Sequence, residues 1–276
     1  MIIISKFDNV LLRHIIIVLI MTSLLANKNN HERDSHITFE EEPHIYTIDG
    51  DSDYTSVTTL ISKHFEHFNA DKIITKMMNG RNWRFSKYYG MTREEIKQKW
   101  ETTRIDAATS GTKMHYDIEC YYNKMQVDNT SIEYYYFKDF CKDYAHLNPY
   151  RSEWMIWDND LKLAGSVDML FENADGTLSI YDWKRCKEIK KTNKWQSSTT
   201  QFLKHIPDTN FWHYSLQLNI YKYLLEKNYT CSIKDMCLVC MHPNNKNKSY
   251  IHLEVPDLQK EVRDIMTARK KIVSNL

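Results

Sequence analysis

The sequence has little glycine and almost no net charge. Only 6 of its 276 residues are glycine, whereas 18 are tyrosine and 7 are tryptophan. It has no internal repeat and no low-complexity tract, so a packed, helix-rich fold is favoured over a disordered or repetitive chain. The 37 basic and 36 acidic residues nearly cancel. Any binding site for a polyanion must therefore be a local patch on a neutral molecule.

A long apolar run is also lacking. Residues 15–26 are almost wholly apolar, but a membrane-spanning helix needs roughly 20 such residues. The stretch is similar to a signal-peptide core or a weak signal anchor, although Ser23-Leu24-Leu25-Ala26 at its end is a poor cleavage site. Met21 can also be the true start. We predict that residues 1–35 are an appendage outside the fold. A membrane-anchored or secreted protein stays open as an alternative.

Capping signals predict a helical lobe over residues 36–103. Alternating residues at 36–39 and 44–48 indicate a small hairpin at the start of this region. Three residues carry the signals of a helix start: Ser56, Asn69 and Thr92, the last in a capping box with Glu95. The third of these helices is expected to run through Trp100.

A longer helix is predicted from about Arg104 to Tyr122. Its Ala107, Ala108 and Gly111 are small enough to let a neighbouring backbone approach. Residues 131–144 predict another amphipathic helix, because their apolar side chains recur at helical spacing.

Beyond residue 144 the hydrophobic pattern becomes strand-like. Three short runs separated by turns predict an antiparallel meander: residues 153–157, 161–171 and 178–183. Further elements are predicted downstream: a helix over 211–225, strands at 236–242 and 250–255, and a closing helix over 258–272. Helices that flank a central mixed sheet place the chain in the α/β class, with residues 104–276 as its core.

The strongest chemical signal lies on this meander. Gly165-Ser-Val-Asp168 is followed fourteen residues later by Asp182-Trp183-Lys184. Pairing across the hairpin can bring both carboxylates within reach of one divalent ion, and hard anionic oxygens suit magnesium. Asp182 and Lys184 share one face of a strand, while Trp183 points into the packing behind. The ammonium can stabilise charge that develops on a phosphorus atom. Taken alone, D-x-K also fits an ordinary surface hairpin.

Three acid or imidazole side chains can add to this site. His115 and Glu119 share a helix face at i, i+4, and a neutral imidazole can bind a second cation or contact a phosphate. Glu153 begins the first strand of the meander and can supply a third carboxylate. A packed histidine and a surface acid are the plainer alternatives.

A polar pair lies on the downstream helix. Gln217 and Tyr221 share one face, with apolar residues on the other. Gln217 can hold the scaffold or a nucleotide through its amide, and Tyr221 can support Lys184 or stack on a base. A core tyrosine beside a solvated glutamine is the alternative.

These motifs resemble, in their order, the RecB-like branch of the PD-(D/E)XK nucleases. The five are listed in chain order: G-T-x-x-H ending at His115, a Glu, G-x-x-D ending at Asp168, D-x-K ending at Lys184, and Q-x-x-x-Y ending at Tyr221. Each is weak alone, but five in register are fairly specific. The resemblance covers residues 104–225, under half of the chain. Many members of the superfamily have Glu-x-Lys where this chain has Asp-x-Lys, and Asp is common in the RecB-like branch.

The resemblance implies a metal-dependent deoxyribonuclease with a restriction-endonuclease-like core. Exonuclease activity in DNA replication, recombination or repair is preferred by analogy with this branch, which includes bacterial recombination nucleases, CRISPR adaptation nucleases and a mitochondrial genome-maintenance exonuclease. One or two Mg²⁺ or Mn²⁺ ions are implied. The implied metal ligands are His115, Asp168, Asp182 and the Trp183 carbonyl, with Glu153 as an optional acid. The implied catalytic residues are Lys184, Asp182 and Asp168, supported by Gln217 and Tyr221.

The six cysteines argue against an iron–sulfur cluster, which some nucleases of this branch carry. Only Cys237 and Cys240 have C-x-x-C spacing, and no cysteine precedes Cys120. The apolar run around the C-x-x-C pair reads as a buried strand. Reduced structural thiols in an intracellular protein are the simpler interpretation, so we expect no such cluster.

A basic, polar stretch joins the D-x-K strand to the Gln217 helix. Its cationic residues are predicted to hold DNA phosphates without reading sequence: Arg185, Lys187, Lys190, Lys191 and Lys194. A solvated, disordered loop is the alternative for this segment. A second basic-aromatic patch, formed by Arg81, Trp83, Arg84 and Lys87, can grip a nucleic-acid strand.

Single-stranded DNA, or DNA with free ends, is the expected partner. A replication or recombination protein is a second candidate, and no obligate membrane partner is expected. Two alternatives remain: a catalytically inert DNA-binding or partner subunit with the same fold, and a structure-specific endonuclease. Every residue type that the chemistry needs is present, which speaks against the inert subunit.

Overall fold

The computed structural model describes residues 24–275, so Met21 and most of the apolar stretch lie outside the described residues. Seven α-helices occur in this part of the chain: α1 (Leu24–Lys28), α2 (Val57–Ser62), α3 (Ala70–Met78), α4 (Arg93–Tyr122), α5 (Ile132–Asp143), α6 (Asn210–Asn228) and α7 (Gln259–Val273). The same residues contain eight strands: β1 (Ile37–Glu40), β2 (Ile45–Ile48), β3 (Thr55–Ser56), β4 (Asn148–Asp158), β5 (Leu163–Glu172), β6 (Leu178–Lys184), β7 (Ile233–Cys240) and β8 (Ile251–Glu254).

Six of the strands form a central mixed sheet. Its order is β3-β5-β6-β7-β8, with β4 paired to β5. The β4–β5, β5–β6 and β7–β8 pairs are antiparallel, whereas β3–β5 and β6–β7 are parallel. Helices cover both faces of the sheet. One apolar cluster includes residues of α2, α6 and α7, and the second cluster includes residues of α1, α4 and α5. The predicted α/β class and the antiparallel meander are confirmed.

The sheet splits along β5. β4 pairs with β5 from residue 163 to residue 172, so β3 and β6 share the opposite edge. β3 pairs there with Leu163 and Ala164, and β6 pairs with residues 169–172. Residues 165–168, the Gly-x-x-Asp motif, pair with neither strand. A gap therefore opens between β5 and β6 where the motif residues lie.

The predicted helix starts are confirmed by their capping bonds. Ser56 Oγ accepts the Thr59 N–H at 3.1 Å, and Asn69 Oδ1 accepts the Lys72 N–H at 2.9 Å. Thr92 and Glu95 form the reciprocal capping box. Each bond satisfies an N–H that the first helical turn leaves without an internal partner.

The region around residue 104 differs from the prediction. α4 is a single helix of 30 residues, so the expected break between Trp100 and Arg104 was wrong, and the predicted boundary at 103/104 lies inside a helix. No proline interrupts it, and the interior Gly111 only lowers its propensity. Ala107 and Ala108 are exposed, so the predicted close approach of another backbone there was also wrong.

Residues 24–35, predicted to lie outside the fold, contact it. Leu25 is buried, and its N–H donates to Asn123 Oδ1 at 3.2 Å. Asn29 Nδ2 donates to the Tyr150 carbonyl at 2.7 Å. Asp34 forms an ion pair with Arg151 at 2.7 Å. This segment packs along the edge of β4 that β5 leaves open, which satisfies polar groups that an edge strand would otherwise expose.

Within residues 24–275, no helix combines the length and the apolar character required to cross a bilayer.

Candidate metal centre

The two motif aspartates lie on the neighbouring strands β5 and β6 where the sheet splits. In the β5–β6 hairpin the last recorded pair is Met169 with Tyr181, and the same register continued by one residue would set Asp168 opposite Asp182. At this point a side chain takes the place of a backbone hydrogen-bond acceptor, because Asp168 Oδ2 accepts the Trp183 N–H at 2.9 Å. Asp168 therefore holds β6 beside the gap while its carboxylate remains in the site.

His115, Glu153 and Asp168 form a group that can hold a metal ion. One ligand atom of each lies within 4.8 Å of the others. His115 Nδ1 is 3.4 Å from Glu153 Oε1 and 3.5 Å from Asp168 Oδ2. Carboxylate oxygens are the donors that Mg²⁺ and Mn²⁺ prefer, and an imidazole nitrogen is a common ligand of divalent transition-metal ions. Helix α4 and strands β4 and β5 each supply one member, so the group exists only in the folded chain.

Glu153 reaches this group from an unusual backbone. Its φ is +44° in the middle of β4, a conformation that a residue other than glycine seldom adopts. Ser152 pairs with Met169 and Trp154 with Val167, which sets Glu153 opposite Asp168. Outliers of this kind persist where the surroundings enforce them and concentrate at functional sites. The prediction left Glu153 as an optional acid, whereas the structure brings it into the centre of the group.

Asp182 faces Lys184 within the same site. The Asp182 side chain is 1% exposed, and its Oδ2 lies 2.7 Å from Lys184 Nζ. Neither carboxylate oxygen accepts a hydrogen bond of normal geometry from a described residue. Burial, and then the negative charge of Asp168, raise the pKa of Asp182 to about 7. A buried carboxylate with free lone pairs is costly unless a cation completes its surroundings.

The pKa of His115 is also raised, which for an imidazole favours the charged form. Burial disfavours its charged form, but the carboxylates of Asp168 and Glu153 outweigh burial and raise the pKa of His115 to about 9. In the absence of a metal ion, a protonated imidazole thus offsets part of the negative charge that gathers here. The surrounding group has the electrostatic character of a cation site.

Lys184 rests on an aromatic ring that the sequence did not single out. Its Nζ lies 4.8 Å from the centre of the Tyr214 ring on α6. The charges of Asp182 and Asp168 raise the pKa of Lys184, although burial alone would lower it. The residue is therefore a permanent cation at neutral pH. Tyr214 was missed because its importance depends on α6 packing over the end of β6.

Gln217 and Tyr221 lie behind the site instead of lining it. Both are buried, and Gln217 Nε2 donates to Tyr221 Oη at 3.0 Å. A Cβ added to Gly165 would lie 2.7 Å from Tyr221 Cε1, so the ring packs directly against the β5 backbone. A residue this enclosed cannot stack on a base. Gln217 and Tyr221 instead position β5. Because Gln217 is buried, the alternative of a glutamine side chain in solvent is also excluded.

A cavity of about 580 Å³ opens beside the metal group. Its polar lining includes Glu41, His115, Glu119, Glu153 and Ser166. Ser166 Oγ donates to Glu153 Oε2 at 3.2 Å. Burial, and then the negative charge of Glu153, raise the pKa of Glu119 to about 7. Glu119 thus lies beside the group, as its i, i+4 spacing from His115 predicts.

The basic stretch after Lys184 divides in two. Arg185 Nε forms a 2.6 Å ion pair with Glu133, so this guanidinium is already engaged and only partly exposed. The four lysines of the stretch are exposed: Lys187, Lys190, Lys191 and Lys194. Side chains of the loop and of α6 hydrogen-bond its backbone, which disfavours the disordered alternative. In the other lobe, Arg81, Arg84 and Lys87 are exposed and Trp83 is half-buried.

Cys237 and Cys240 lie in β7, as the buried-strand interpretation predicts. Cys237 packs in the apolar cluster that includes Trp183, and Cys240 in the cluster on the other face of the sheet. A three-residue separation on a strand places side chains on opposite faces. The C-x-x-C spacing therefore does not bring these two thiols together.

No protein-family profile matches the chain, and no curated protein does either. Among solved structures, SSO0001 has a TM-score of 0.34 and 11% identity, over 82% of this chain and 78% of that chain. A "Putative exonuclease" from Eubacterium rectale has a TM-score of 0.29 and 10% identity, over 58% of this chain and 74% of that chain. Such TM-scores do not establish a common fold.

Proposed function

We propose that this protein is a Mg²⁺- or Mn²⁺-dependent deoxyribonuclease of the RecB-like PD-(D/E)XK type. The observation that carries the proposal is the junction of two side-chain groups at one split in a sheet. His115, Glu153 and Asp168 form one group, and Asp182 and Lys184 form the other. Acids, an imidazole and a lysine so arranged suit phosphodiester hydrolysis.

The donor set fits a hard divalent cation. Oδ2 of the buried Asp182 carboxylate lies 2.7 Å from Lys184 Nζ, but neither oxygen accepts a hydrogen bond of normal geometry from a described residue. Asp168 turns toward the same gap. His115, Asp168, Asp182 and Glu153 would hold the ion, with the Trp183 carbonyl as a further ligand. When bound, the ion supplies a nucleophile at neutral pH and neutralises charge on the phosphate.

The protein's own residues then divide the remaining work. Lys184, fixed between Asp182 and the Tyr214 ring, donates hydrogen bonds to the phosphate oxygens as negative charge grows on them. Water attacks phosphorus and gives up a proton to solvent, the bond to the leaving oxygen breaks, and that oxygen takes up a proton from solvent. Gln217 and Tyr221 keep β5, and hence Asp168, in place. By analogy with the RecB-like branch, we propose that the enzyme attacks DNA ends and does not cleave internally. The cellular process would be DNA replication, recombination or repair.

The test uses end-labelled linear DNA and closed circular DNA, each with Mg²⁺, Mn²⁺ or EDTA. Cleavage with the metals and none with EDTA is expected, and Asp182→Asn should reduce the rate at least about 100-fold. Asp160→Asn, in an exposed turn, is the matched control and should keep full activity. Equal cleavage by Asp182→Asn, or cleavage in EDTA, would overturn the proposal. DNA binding without cleavage would favour the inert subunit, and cutting of closed circles would exclude an obligate exonuclease.

A further inference from the structure

Trp195 is the most exposed large hydrophobic side chain in the described part of the chain, at 91%. Single exposed apolar residues are common on protein surfaces and by themselves indicate nothing. The surroundings of Trp195 are less common, because the ring projects from a loop whose backbone is fixed and whose neighbouring side chains are cationic.

Asn193 fixes the turn that carries Trp195. Its Oδ1 accepts the Trp195 N–H at 3.0 Å and the Gln196 N–H at 3.1 Å. Its Nδ2 donates to the Asp208 carbonyl at 2.9 Å on the returning part of the loop. The position of Trp195 is therefore set by backbone hydrogen bonds, although its side chain lies in solvent. Because the backbone is already ordered, binding of a flat partner to the ring needs to restrict only the side-chain rotamers.

The same loop is tied to the helix that supports the catalytic lysine. Trp212 Nε1 donates to the Lys191 carbonyl at 2.8 Å, and the Asn210 side chain bonds Lys190 N–H and the Glu188 carbonyl. Tyr214, two residues beyond Trp212, lies under Lys184 Nζ. The beginning of α6 thus connects the loop to the metal centre.

Cationic side chains and an open concavity surround the ring. The concavity has a volume of about 690 Å³, and its lining includes Lys187, Lys190, Lys194, Trp195 and Asn210. Two lining side chains carry the opposing charge, Glu188 and Asp208. Glu188 lies 3.7 Å from Lys190, and Asp208 lies 2.9 Å from His213. Such a volume accommodates a nucleotide. Lysines around an exposed aromatic ring are the combination that binds single-stranded nucleic acid, in which bases stack on the ring and cations hold the phosphates.

We propose that Trp195 stacks on an unpaired base of the substrate while the loop lysines contact the adjoining phosphates. The strand that reaches the metal centre is then single-stranded or has an unpaired end. A blunt duplex offers only its terminal base pair for such stacking. This inference rests on the proposed nuclease function and names the substrate class that the site accepts.

The test measures binding of labelled single-stranded oligonucleotides in EDTA, where no cleavage is expected. Trp195→Ala should weaken binding about 5- to 150-fold, the range that loss of one stacked base produces, and Trp195→Phe should restore most of it. Tyr135→Ala, which removes an exposed aromatic residue from α5, is the control and should leave affinity unchanged. An oligonucleotide with abasic sites keeps the phosphates but offers no ring, so wild type and Trp195→Ala should bind it equally.

Three outcomes would overturn the inference. These are unchanged affinity in Trp195→Ala, an equal loss on intact and abasic strands, and tighter binding of blunt duplex than of single strands. Trp195→Ala should fold normally, since exposed substitutions change stability little. Failure of the two proposals is distinguishable. Cleavage that does not depend on Trp195 would remove only the stacking role, and Trp195-dependent binding without any cleavage would remove only the nuclease function.

Discussion

The Asp168 carboxylate accepts the Trp183 backbone N–H at 2.9 Å, where the β5–β6 ladder would otherwise continue. One side chain thus performs two tasks, since it joins the separating strands and offers an oxygen to the metal group. The two tasks can be separated by substitution, because an asparagine keeps an acceptor oxygen whereas an alanine does not.

Asp168→Asn and Asp168→Ala should both lose nuclease activity, but only the alanine variant should lose the hydrogen bond. We expect Asp168→Ala to be about 1–3 kcal/mol less stable than Asp168→Asn, because the buried Trp183 N–H is left without a partner. Urea denaturation of both variants in EDTA measures the difference, and both have lost the same charge. Equal stabilities would show that the bond contributes nothing to the hairpin.

Glu153 should contribute to metal affinity, although the sequence left its role open. Glu153→Gln is expected to weaken Mg²⁺ binding roughly 10- to 100-fold, in line with losses seen when groups around a metal are altered. The free energy of unfolding of the wild type should rise by about 2.7 kcal/mol at a Mg²⁺ concentration 100 times the Kd. A thermal-unfolding titration with Mg²⁺ detects this rise. Asp160→Asn serves as the control and should titrate like wild type. A Glu153→Gln curve that overlays the wild-type curve would remove Glu153 from the metal group.

Gly165 and Gly111 offer a matched pair of substitutions. Alanine at Gly165 would set its Cβ 2.7 Å from the buried Tyr221 ring and 3.2 Å from Val57 Cγ2, so we expect a loss of about 1–3 kcal/mol from overpacking together with lower activity. Alanine at Gly111, within α4, meets no described atom within 4 Å and should add roughly 0.5–1 kcal/mol. Urea denaturation of the two variants measures both changes in the free energy of unfolding, a decrease for Gly165→Ala and an increase for Gly111→Ala. A neutral Gly165→Ala would mean that Tyr221 is free to move.

Asp158 should make stability depend on pH in the acid range. Burial alone would raise the pKa of Asp158, but hydrogen bonds from Asn228 and Lys227 hold it below its usual value. A lowered folded-state pKa gives a contribution that is present above the unfolded-state pKa, about 3.9, and that is lost as pH falls through the folded-state value. Asp158→Asn should therefore cost about 1–3 kcal/mol at pH 7.

The stability difference between wild type and Asp158→Asn should shrink on acidification below about pH 4. Chemical denaturation at a series of pH values follows it. Asp106→Asn, which removes an exposed carboxylate from α4, is the control and should run parallel to wild type. A difference that stays constant from pH 7 to pH 3 would mean that the ionised form of Asp158 is not what the fold stabilises.

The sequence by itself determined the features that depend on near neighbours. Ser56, Asn69 and Thr92 cap the helices that their side-chain chemistry indicated, because a capping bond spans only three residues. The short strand-like runs of β5 and β6 and the turn between them were sufficient to predict the hairpin that carries Asp168 and Asp182. Trp183 is buried behind the site, as the two-residue period of a strand requires.

The tertiary structure alone decided the contacts between distant parts of the chain. Glu153 and His115 are 38 positions apart, and their contact depends on where α4 crosses the sheet. Tyr214 lies under Lys184 only because α6 packs on that face, and Gly165 is required only because the Tyr221 ring lies against it. Local periodicity fixes which face a residue occupies, whereas the order of strands and the packing of helices fix which residue it meets.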